Sequence, residues 1–62
     1  MDKQYIRAKV RAWLNKAEKE EIEILKEIVK ENPEDERISD LCTALGIFVA
    51  LRIKTDELIE KL

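Results

Sequence analysis

Histidine is absent from this 62-residue sequence, and Cys, Gly, Pro, Trp, Tyr and Phe each occur once. Without histidine, the usual general base and the commonest metal ligand are both missing. Cys42 is the only thiol, so no disulfide can form within the chain, and one thiolate cannot close a tetrahedral zinc shell. Di-iron bundles require Glu-x-x-His on facing helices, and that pattern cannot be written here. Gly46 stands alone, which excludes the glycine-rich loops that cradle phosphates. Ser39, Thr43, Thr55 and Cys42 have no base partner at motif spacing. Carboxylate pairs such as Glu20/Glu23 are what so acidic a run contains without function. The expectation is a chain with no enzymatic activity, no cofactor and no metal. The apolar runs fall far short of the ~20 residues a membrane span needs. No secretory signal is visible, so a cytoplasmic location is expected.

What the sequence does contain is charge and aliphatic residues: 42% of positions are charged and 45% hydrophobic. Most are strong helix formers. A chain this short buries only about 60% of its unfolded surface. Its core typically supplies about 3–5 kcal/mol, so small folds need disulfides, a metal or a partner subunit. With the first two excluded, association with another chain remains.

Residues 2–31 carry one helical pattern: Ile6, Val10, Trp13, Leu14, Ala17, Ile24, Leu25 and Ile28 form a stripe, widened by Ile22 and Val29. Asn15 is its weakest point. Trp13 is expected to pack at the stripe's edge, and Glu21, inside it by phase, to send its carboxylate to solvent. Asn32-Pro33-Glu34-Asp35 ends the pattern: Asn32 suits a C-terminal cap, and Pro33 followed by acids suits a helix start. So short a connection makes two antiparallel neighbours. The chain therefore reads as a single all-α helical hairpin: helix 1 about 2–31, a turn at 32–35, and helix 2 about 36–62.

The second helix is unusual in having three lines of mostly apolar or small residues. Ile38, Leu41, Leu45, Phe48, Arg52, Thr55, Ile59 and Leu62 follow spacings of three and four and mark one seam. Ala44, Ile47, Leu51 and Leu58 mark a second, and the small residues Thr43, Gly46 and Ala50 a third. Cys42 is expected to be an inert core thiol. A hairpin partner covers only one line, so a homodimeric four-helix bundle is expected, with Ala44, Ile47, Leu51, Leu58, Gly46 and Ala50 at the subunit interface. Close approach of a partner backbone would offset the helix penalty of Gly46. A break at Lys54-Thr55 is the alternative, giving three helices with less need of a partner.

Charge is distributed unevenly. Residues 1–16 hold five bases and one acid, residues 17–36 nine acids and three bases, and residues 37–62 four of each. Helix dipoles prefer the reverse order in helix 1. Either a dimer mate's acids face these bases, or the bases form a binding surface. The favoured function is a non-enzymatic protein–protein interaction or adaptor module built on the homodimer, with an unidentified protein as further partner. The first alternative is a nucleic-acid-binding regulator using Lys3, Arg7, Lys9, Arg11, Trp13 and Lys16. The second is an engineered helical binder with Ile47, Phe48 and Leu51 in its contact face.

Overall fold

The computed structural model describes residues 2–62, which form two helices and no strands: α1 (Lys3–Glu31) and α2 (Arg37–Glu60). They run antiparallel as a hairpin 47 Å long. Asp2 starts α1, its carboxylate accepting from the backbone N–H groups of Gln4 (3.0 Å) and Tyr5 (3.2 Å). Such a cap is worth about 1 kcal/mol. The helix passes through Asn15 without a break. It ends where Pro33 forces the preceding residue out of the helical region: Asn32 is extended, at φ −153° and ψ 98°.

The connection is held by side chains on both sides of the turn. Asn32 Oδ1 accepts from the Glu34 N–H at 3.1 Å, and the Asn32 carbonyl from the Asp35 N–H at 3.1 Å. Asp35 Oδ1 then accepts from the Arg37 backbone N–H at 2.9 Å, while the Arg37 guanidinium binds the same carboxylate. These hydrogen bonds from Arg37 hold the Asp35 carboxyl down at about 2. Asp35, rather than Pro33, therefore launches the second helix, which begins at Arg37. Nor does α2 break at Lys54-Thr55. The Thr55 hydroxyl donates to the Leu51 carbonyl (2.7 Å) one turn back, so it does not cap a new helix.

Among the described residues only Leu14 and Ile59 are buried, at 2% and 5% exposure. Around them Ile6, Val10, Leu25 and Ile28 of α1 and Ile38, Leu41, Leu45 and Phe48 of α2 are half-buried. Arg52, at a seam position, reaches across to α1. Its two terminal nitrogens take both Glu18 oxygens at 3.0 Å, and one of them also donates to Asn15 Oδ1 at 2.7 Å. The hydrogen bonds from Arg52 lower the Glu18 pKa. Asn15 and Arg52, which look like interruptions of two apolar stripes, thus satisfy one another.

Candidate interaction surface

The basic residues of the first turns do not form one open patch. Arg7 binds Glu60 and lies 3.5 Å from Asp56, and Arg11 reaches Asp56 at 2.7 Å. Lys3 Nζ donates to the Glu60 carbonyl at 3.0 Å. These contacts tie the first three turns of α1 to the last turns of α2. They give a third account of bases placed against the helix dipole, a cross-hairpin match to acids forty-five or more residues away. Of the remaining candidates, the Lys9 ammonium sits 5.8 Å from the centre of the Tyr5 ring. Lys16, Trp13, Ala17 and Glu20 line a shallow depression of about 190 Å³. Trp13 is 70% exposed, so the hairpin itself does not pack it.

The second line of α2 is similarly uncovered. Ile47 is 53% exposed, Leu58 52% and Leu51 39%, and Ala44 is half-buried. Ala50 is exposed, and a Cβ built on Gly46 would meet nothing within 4 Å. A shallow, open groove of about 500 Å³ runs along the back of α2, lined by Ile47, Ala50, Leu51, Ile53, Lys54 and Glu57. Cys42 is exposed as well. Its apolar neighbours suggest a core thiol, but its phase turns it away from the seam.

Helical phase sorts these exposed residues into sides. At 3.6 residues per turn, each residue advances about 100°. Trp13 and Ile24 then lie about 80–100° round from the buried Leu14, while Leu51 and Leu58 lie about 80–100° round from the buried Ile59, in the same rotational sense. In antiparallel helices the same sense means the same side of the pair. Trp13, Ile24, Ile47, Leu51 and Leu58, five of the ten exposed large apolar side chains among the described residues, therefore share one side with Ala17 and Ala44. Val29, Val49, Ile53 and Cys42 fall on the other side. Gly46 and Ala50 lie behind α2, about 140–180° from Ile59, so the six expected interface residues divide into a side group of four and a rear pair. The exposure of Ile24, a member of the apolar stripe of α1, was not evident without the partner helix's position. Glu21 is half-buried in that stripe.

Among the described residues no group of three or more His, Cys, Asp and Glu is placed to hold a metal ion, and no helix is long and apolar enough to cross a membrane. In comparisons with known proteins, no family model, curated protein or solved structure matches this chain.

Proposed function

We propose that the hairpin is the protomer of a homodimeric four-helix bundle serving as a non-enzymatic protein–protein interaction module. One observation carries this reading: among the described residues two side chains are buried while five large apolar ones stand exposed along a single side. Contiguous apolar surface of that kind marks interaction sites in small proteins. The total surface agrees in magnitude. A compact monomer of 7.3 kDa exposes about 4,200 Å², whereas the hairpin exposes 5042 Å². The excess, roughly 800–900 Å², is close to what one partner contributes to a standard interface, about 800 Å². Ala44, Ile47, Leu51 and Leu58 of α2, with Trp13 and Ile24 of α1, supply the self-association face, and the charged outer faces remain for a further protein.

Sedimentation equilibrium over a wide concentration range tests the reading. The expected result is a dimer whose dissociation constant rises more than tenfold on Leu51→Glu, because that substitution places a charge in the contact. A folded monomer at every concentration would refute it.

A further inference from the structure

Building on the homodimer reading, we infer that the second copy packs antiparallel on the Trp13–Leu51 side, about a two-fold axis at the level of Glu20 and Ile47, and that charge selects this orientation. The register within the hairpin comes first. Arg7 meets Glu60, Arg11 meets Asp56, and Asn15 meets Arg52. Each rung steps four residues forward in α1 and four back in α2. Continued once more, the ladder sets Lys19 beside Phe48, so that Glu20 is level with Ile47.

The charges bordering the apolar side come second. Lys9 and Glu31 lie about 100–140° round from Leu14 in the sense of Trp13, and Asp40 and Lys54 about 100–140° round from Ile59 in the sense of Leu51. All four are exposed, and none joins an ion pair among the described residues. In α1 the base precedes the acid, and position 20 lies midway between Lys9 and Glu31. In α2 the acid precedes the base, and position 47 lies midway between Asp40 and Lys54. Two midpoints taken from separate helices thus fall at one level of the hairpin, although nothing in the ladder depends on either charge pair.

A two-fold axis through that level carries Lys9 to the partner's Glu31 and Asp40 to the partner's Lys54. Repeated from the other copy, this makes four opposite-charge contacts per dimer. Lys16 comes within a turn of the partner's Glu27, and each Glu20 meets the partner's Glu20 at the axis with the partner's Lys16 a turn away, so the axis itself carries one like-charge pair flanked by two bases. Glu57 lies off this border, behind α2. Parallel pairing about an axis along the rods would instead stack α1 on the partner's α2, bringing Lys9 within about a turn of the partner's Lys54 and Glu31 within about a turn of the partner's Asp40. Like-charge juxtaposition of that kind is how interfaces reject wrong orientations.

Charge reversal in trans tests the orientation. One variant carries Lys9→Glu and Lys54→Glu, the other Glu31→Lys and Asp40→Lys. Sedimentation equilibrium is run on each alone and on an equimolar mixture, at ~0.05 M and ~1 M salt. The expected result is dimerisation about tenfold or more weaker for each variant alone. The mixture recovers affinity, and the difference between them shrinks at high salt. Should a double reversal unfold its chain, single Lys54→Glu and Asp40→Lys variants carry the same comparison. If the wild type dimerises but each variant alone binds as tightly as the wild type, or the mixture binds more tightly than the wild type or no more tightly than either variant, the orientation is overturned and the homodimer stands. A wild type that stays monomeric overturns the homodimer reading itself.

Discussion

Replacing Gly46 with alanine asks which side of α2 is covered. Glycine inside a helix costs roughly 0.5–1 kcal/mol relative to alanine, because the unfolded chain loses more freedom on ordering. Within the hairpin nothing offsets that cost, since an added methyl would find no atom within 4 Å. Gly46 lies about 140° round from Ile59 in the sense opposite to Leu51, so a second copy on the Trp13–Leu51 side does not reach it. Gly46→Ala is therefore expected to stabilise each chain by about 0.5–1 kcal/mol. For a domain of this size, that raises the melting temperature by up to about 4–8 °C. The dimer dissociation constant should not move. Thermal melts at a fixed, high protein concentration give the first number and sedimentation equilibrium the second. Lower stability, or a dissociation constant raised severalfold, would mean that another backbone packs against Gly46. The small-residue line Thr43, Gly46 and Ala50 would then be the interface, and the face assigned above would be wrong.

Three further outcomes follow from contacts within the hairpin and from the uncovered side. Arg52→Met keeps an apolar stem in the seam but leaves Glu18 and Asn15 without their partner; a lower urea midpoint is expected, with the Glu18 carboxyl titrating at higher pH by NMR. Unchanged stability would show that the fork contributes nothing. The Asp35 carboxyl is held down at about 2 from an ordinary 3.8, so between those values the unfolded chain binds the extra proton. Its contribution is complete above about pH 4 and is lost as the pH falls toward 2, and Asp35→Asn should flatten that part of the stability–pH curve. Trp13, the only tryptophan, should shift its emission to shorter wavelength and lose access to acrylamide as the dimer forms; a spectrum independent of concentration would leave it uncovered and refute its place in the interface.

Much of the hairpin was legible because local chemistry determines it. Steps of three and four from Ile38 to Ile59 pick out the seam of α2 even where it passes through Arg52 and Thr55. The residue before Pro33 has few conformations open to it, which set the end of α1. What could not be read depended on atoms distant in sequence. Arg7 and Arg11 look like a free basic face until the register of the hairpin brings Asp56 and Glu60 opposite them. Asn15 looks like a flaw until Arg52 arrives. α2 begins at Arg37, one residue after its expected start, but through the Asp35–Arg37 hydrogen bonds, which leave only a short sequence signal, and not through Pro33 as a first turn. Cys42 shows a different limit, since the hydrophobicity of a stretch does not say which of its residues face inward. On the candidate surface, the exposure of Ile47, Leu51 and Leu58 followed from there being more apolar lines than one neighbour can cover. The alignment of Trp13 and Ile24 with them required the handedness of the pair.

The ties from Lys3, Arg7 and Arg11 to Asp56 and Glu60 bring the first and last turns of the chain together at one tip of a slender 47 Å rod. In an antiparallel pair of such rods, the two tips point in opposite directions. Cargo fused to either terminus would then be displayed at both far ends, separated by about the rod's length and unable to collide. A parallel pair would crowd both loads at one pole.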